Sequence, residues 1–174
     1  MTLKIYIFKT SYTFIGITNC RSWLSRAWVC FFGYIRVMLS KKTKYGLKAL
    51  TFLAKRESRE PIQIAEIAES ENISQKFLES ILLTLRRNGF LGSKKGKGGG
   101  YYLIKDPGDI PMTAVMRVLE GPIAMVPCVS LNFYEKCDDC PDEKTCSIFG
   151  LMVKVRDANL EVYRNTSLAD LITE

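Results

Sequence analysis

Histidine is absent from all 174 residues. Its absence removes Ser-His and Cys-His catalytic pairs, histidine metal ligands and the usual near-neutral proton shuttle. An enzyme built from this chain would have to work with carboxylates, lysines or cysteines, and no general acid-base or nucleophilic machinery assembles from them here. Long apolar runs are missing as well. In the aromatic-rich N-terminal stretch the longest uncharged segments, residues 10–20 and 27–35, fall short of the roughly 20 apolar residues that a membrane span needs. Arg21 and Arg26 ahead of "AWVCFFGYI" imitate a signal peptide, but the following "RVMLSKK" offers no small-residue cleavage site. A nucleotide-phosphate loop is also absent. The glycine-rich "KKGKGGGYYLIKD" at 94–106 has neither Walker nor dinucleotide glycine spacing, and no hydroxyl follows Lys97.

The net charge of +7 is unevenly distributed. Residues 1–37 carry five Lys/Arg and no acid, residues 38–105 carry fourteen Lys/Arg against six Glu, and residues 106–174 carry six against twelve Asp/Glu. A basic middle followed by an acidic end implies that one part meets a polyanion, with nucleic acid the leading partner. Residues 1–37 hold nine of the nineteen aromatics without a sustained helical or strand period. We expect them to be an extension outside the natural protein, with Met38 as its start.

Periodicity begins at Ser40. "KKTKYGLKALTFLAKR" spaces Tyr45, Leu47, Leu50, Phe52, Leu53 and Ala54 as an amphipathic helix, with Lys41 and Lys44 available to phosphate on its other side. "IQIAEIAESEN" gives a short second helix. After a turn at Glu71-Asn72, Ser74 is placed to cap a third helix whose Phe77, Leu78, Ile81, Leu82 and Leu85 point inward, and Asn88-Gly89 ends it. This is helix-turn-helix order, and it explains the glycine run. The glycines form the tip of a β-wing, "YYLI" is the return strand, and Lys94, Lys95, Lys97 and Lys105 face phosphates. Backbone N–H groups at Gly98, Gly99 and Gly100 can approach nucleic acid closely. The first turns of the third helix present Ser74, Gln75, Lys76 and Glu79 to base edges in the major groove. The expected fold is therefore mainly α with a small β-wing: a winged helix-turn-helix over 38–107, then 108–174 carrying a cysteine loop and a long helix.

Of six cysteines, Cys128, Cys137, Cys140 and Cys146 fall within nineteen residues and include one CxxC. Soft thiolates at this density suit zinc or an iron-sulfur cluster, and composition does not choose between them. Beyond the loop, Ile148, Leu151, Val155, Ala158 and Val162 make an a/d stripe, with Leu160 and Tyr163 beside it. We read two apolar faces, one for the chain's own domain and one for a second copy. Two copies would set a pair of recognition helices about 34 Å apart on palindromic double-stranded DNA.

Residues 38–174 resemble the Rrf-type winged-helix regulators of the IscR/NsrR group, through "KYGLKAL", "ISQKFLESIL", "LRRNGFL", "KGKGGGYYL", the cysteine cluster and the closing "TSLADL". The resemblance implies a cytoplasmic homodimeric transcriptional regulator, a repressor that binds operator DNA, with Ser74, Lys76 and Glu79 at base-reading positions. It also implies a [2Fe-2S] or [4Fe-4S] cluster held by three cysteines. Cys140 and Cys146 match the second and third by spacing. The usual spacing of the first falls on Tyr134, so Cys128 or Cys137 takes that place, and Phe149 stands where the IscR type has a histidine ligand. Structural zinc and a thiol-disulfide switch are the alternatives.

Overall fold

In the computed structural model, residues 39–56 and 60–173 are described; the expected extension over 1–37 lies outside the described residues. Helix α1 (Lys41–Ala54) starts where Ser40, in extended backbone, accepts a hydrogen bond on its hydroxyl from the Thr43 amide at 3.1 Å, satisfying one otherwise free N–H of the first turn. Ala49, Leu50 and Leu53 form its buried stripe. Gly46 lies on the same side because a Cβ there would stand 2.6 Å from Leu119 Cδ1. Helix α2 (Ile64–Ser70) ends in a turn through Asn72 at φ 52°, closed by Ile73 N–H donating to the Ala68 carbonyl at 2.8 Å. Asn tolerates this left-handed conformation better than bulky residues do. Lys48 of α1 holds the turn through Glu71 at 2.9 Å.

Helix α3 (Gln75–Arg87) buries Leu78, Ile81, Leu82 and Leu85 completely. Each such side chain contributes about 1.5–3 kcal/mol of burial, which fixes the helix against α1 and α2. Two expectations fail here. Phe77 obeys the helical period but lies beyond the edge of the core, 37% exposed, with its ring edge-on to Tyr45 at 5.8 Å. Ser74 occupies the N-cap position but makes no side-chain capping bond.

Asn88 and Gly89, at φ 76°, turn the chain into a hairpin of β1 (Leu91–Lys94) and β2 (Gly100–Leu103), paired antiparallel from Leu91↔Leu103 to Lys94↔Gly100. The return strand stops at Leu103, one residue short of the expected "YYLI", and Ile104 is exposed. A third edge was not anticipated. Ile62, just before α2, bridges Tyr101 through two backbone bonds of 2.9 and 2.8 Å. The wing is thereby sewn to the helix-turn-helix by main chain.

Helix α4 (Met112–Leu119) turns Met112, Val115 and Leu119 into the core that α1 and α3 share, and Met116 is buried as well. The chain then runs through the cysteine loop into α5 (Phe149–Arg164) and the short α6 (Asp170–Thr173). Leu168, fully buried, ties the end back: its N–H donates to the Ile110 carbonyl and Met112 N–H to the Thr166 carbonyl, both at 2.9 Å. One core therefore spans residues on both sides of the 107/108 division drawn from the sequence. No helix of the described residues is long and apolar enough to cross a membrane.

Candidate nucleic-acid interface and cysteine loop

The first two turns of α3 leave Ser74, Gln75, Lys76 and Glu79 exposed. Glu79 sits three and four residues after Lys76 and Gln75, so these exposed side chains share one helix face, bordering the buried stripe of Leu78 and Leu82. At the start of α1, Lys41 and Lys44 are exposed. Lys94, Lys95 and Lys97 are exposed along the wing and its tip.

The three candidate glycines divide by role. Gly98, at φ 79°, is exposed with open space where a Cβ would be. Gly99 instead closes the tip, donating its N–H to Gly96 O at 2.9 Å, and a Cβ there would be 2.3 Å from Lys94 O. Gly100 lies against Ile62, whose carbonyl oxygen a Cβ would meet at 2.1 Å. Packing alone thus accounts for glycine at 99 and 100. Arg86 and Arg87, overlooked in the sequence, extend the cationic surface from the last turn of α3, and Arg86 donates to Ser93 Oγ of β1 at 3.0 Å. Their signal was a basic pair just before the helix-ending Asn-Gly.

The cysteine loop begins after Gly121, at φ 97°. Cys128 lies in a 3-10 turn, Pro127–Val129, closed by the bonds from Val129 N to Val126 O at 3.3 Å and from Ser130 N to Pro127 O at 3.0 Å. All four cysteines are free and half-buried. Cys137 acts electrostatically on Cys128, and Cys146 and Cys137 on Cys140; Cys140 N–H donates to the Cys137 carbonyl at 3.3 Å and its thiol to the Asp142 carbonyl at 3.6 Å. Burial first, then the Cys137 hydrogen bond and the negative charge of Cys137 and Glu143, push the Cys128 thiol up to about 11. Burial and the Cys146 contact raise Cys140. Tyr134 hydrogen-bonds Glu143 beside this pair, and that bond raises the phenol. Among the described residues no three His, Cys, Asp or Glu side chains converge as metal ligands do. The donor chemistry nevertheless fits a soft metal group, because four half-buried thiols in one loop are the soft sulfur ligands that such a group takes on deprotonation.

Past the loop, the apolar residues of α5 differ in exposure, with Val155 and Tyr163 half-buried. Leu160 is buried against the domain, whereas Leu151 and Val162 are 57% and 62% exposed, and Ile148 and Ala158 of the same stripe are exposed too.

A helix-turn-helix followed by a lysine-tipped hairpin bonded to it defines a winged-helix DNA-binding protein. The chain belongs to the Rrf2 family, described as an iron-dependent transcriptional regulator, whose profile matches residues 39–174. It is 40% identical over 138 residues to an rrf2-like HTH-type transcriptional regulator of Rhodobacter capsulatus, covering 78% of this chain and 92% of that one. To the HTH-type transcriptional regulator CymR of Bacillus subtilis it is 35% identical, covering 76% and 88%. The solved structure of B. subtilis CymR, the global cysteine regulator, superposes with a TM-score of 0.64 at 34% identity over 79% of this chain and 97% of that one. T. potens IscR superposes with a TM-score of 0.61 at 29% identity over 79% and 88%. The protein is a helix-turn-helix transcriptional regulator, and its family is not one of enzymes.

Proposed function

We propose that this regulator is a cytoplasmic homodimer that represses from palindromic operator DNA, with DNA affinity governed by an iron-sulfur cluster on Cys128, Cys137, Cys140 and Cys146. The observation that carries the reading is the seating of four half-buried thiols in one loop beside a helix whose apolar stripe leaves Ile148, Leu151 and Val162 exposed. When bound, such a cluster supplies a group labile to oxidant and nitric oxide. The chain does the rest. Ser74, Gln75, Lys76 and Glu79 read bases, Lys41, Lys44, Lys94, Lys95 and Lys97 and the Gly98 tip meet the backbone, and the α5 stripe sets the spacing of two recognition helices. A carboxylate such as Glu79 accepts from a cytosine amino group.

Anaerobic purification with absorbance spectroscopy and iron, sulfide and zinc analysis, followed by operator titration before and after oxidant, tests this. A coloured iron-containing protein whose operator affinity changes on oxidation supports it. A colourless zinc protein with oxidant-insensitive binding overturns it in favour of a constitutive regulator with structural zinc. The influence of Cys137 on Cys128 and of Cys146 on Cys140 favours one further alternative, a thiol-disulfide switch. There, Cys128 with Cys137 and Cys140 with Cys146 would each give up two protons and two electrons to a peroxide, yielding a disulfide and water. Metal-free protein that responds reversibly to peroxide and reductant would establish that alternative.

A further inference from the structure

The guanidinium of Arg156 lies at the centre of α5, and its side chain is only 13% exposed. Its Nη1 donates to the Val129 carbonyl at 2.8 Å, across 27 positions of sequence. Val129 is itself 2% exposed and directly follows Cys128. That carbonyl belongs to the last residue of the turn whose own bonds, from Val129 N to Val126 O and Ser130 N to Pro127 O, enclose Cys128. Further bonds stiffen the same segment, from Phe133 N–H to Ser130 Oγ at 3.1 Å and from Glu135 N–H to Pro127 O at 3.4 Å. At the other end of the loop, Phe149 N–H donates to the Cys146 carbonyl at 3.2 Å, so α5 grows directly out of the last cysteine. The loop is clamped to one helix at its first turn and again at about two turns' distance.

From this clamp we infer that Arg156 is a positioning residue that transmits the state of the cysteine loop to the dimer-facing helix. The inference rests on the cluster reading above and adds the route by which the loop is felt. A displacement at Cys128 moves the Val129 carbonyl. The largely covered guanidinium cannot abandon that acceptor without leaving the buried Val129 carbonyl unpaired, so α5 must follow. Arg156 also forms an ion pair with Asp157, Nη2 to Oδ1 at 2.7 Å, but Asp157 is exposed and such surface pairs contribute little. The Val129 bond is therefore the component that couples.

The test compares full-length wild type, Arg156→Gln, Arg156→Lys and Asp157→Ala, each with its cluster and after its removal. Three quantities are read: iron content, the ratio of operator dissociation constants in the two states, and amide hydrogen exchange along α5. Coupling ratios between linked sites are typically about 5–150-fold. Arg156→Gln should retain iron and fold but bring the ratio to within about threefold of unity, and α5 exchange should become independent of loading. Arg156→Lys, which keeps the charge but not the two-sided fork, should fall between, and Asp157→Ala should match wild type. If both Arg156 variants keep the wild-type ratio and exchange pattern, the inference fails while the cluster reading stands. If the wild type carries no iron and shows no ratio, that reading fails and the inference with it.

Discussion

Replacing Gly100 by alanine should uncouple the wing from the helix-turn-helix. The new Cβ would stand 2.1 Å from the Ile62 carbonyl oxygen, 2.3 Å from its carbon and 2.9 Å from the Gln63 nitrogen. All three are main-chain atoms that no side-chain rotation can clear. Relief requires the Ile62 strand to retreat, and the two bonds it exchanges with Tyr101, of 2.9 and 2.8 Å, are then lost. At about 1 kcal/mol net for each bond, with some lost packing of Tyr101, the cost is about 2–3 kcal/mol. For a chain of this size that corresponds to a fall in Tm of roughly 6–10 °C. Gly98→Ala is the matched control. It meets nothing within 4 Å and is strained only by its φ of 79°, so about 1 kcal/mol is expected. Thermal and urea unfolding of the three proteins, with operator titration at a temperature where all are folded, measures both effects. Gly100→Ala should also bind more weakly, because a detached wing no longer holds its lysines in register. Equal midpoints for Gly100→Ala and wild type, or greater damage from Gly98→Ala, would refute the reasoning.

Replacing Lys94, Lys95 and Lys97 by alanine should weaken binding to every sequence and lower the salt slope by about one unit per lost phosphate contact, whereas Glu79→Ala should relax preference at one base pair, as competition titrations with single-substituted operators will reveal. Cys140→Ser or Cys146→Ser should abolish iron-sulfur absorbance while circular dichroism remains that of the folded protein, because neither side chain belongs to the core. In metal-free protein, alkylation of Cys128 followed by mass spectrometry should stay slow through the ordinary thiol range near 9.0 and accelerate only towards about 11. The sign follows from a raised folded value: the folded state keeps the proton longer, so this thiol's contribution to stability is intact below 9.0 and is lost as pH rises through about 11. Glu143→Gln removes one of the negative neighbours and should move that alkylation profile to lower pH.

The helices were legible because their signals are local: Ser40 before a lysine-rich stripe, Asn72 in a two-residue turn, and Gly89 at φ 76° after Asn88. Periodicity, however, assigns a direction to a side chain without saying how far the core extends. Phe77 has the right direction and meets the rim rather than the interior. The Ile62 edge was hidden because a single bridging residue has no alternation to detect, and glycine at 100 is required by a contact 38 positions away in sequence. In the loop, spacing identified four thiols as a group, but which of them act on one another depends on turns at Pro127–Val129 and Glu143–Thr145. Arg156 carried no signal at all, since its acceptor is a backbone carbonyl 27 residues earlier.

Glu120, at the end of α4, accepts hydrogen bonds from the Ser40 N–H at 3.2 Å, the Ser40 hydroxyl at 2.8 Å and the Thr43 hydroxyl. The carboxylate thus fastens the exit of α4 to the first turn of α1, where a negative group also complements the helix dipole. On the far side of the loop, α5 begins at Phe149. Between these two fixed points only Val129 and Ser130 are buried. Residues 121–148 therefore behave as a cartridge in a socket: length and ligand chemistry can be exchanged there at little expense to the core, provided the newcomer still offers a carbonyl to Arg156. A DNA-reading head built this way can acquire a new stimulus without having to relearn how to fold.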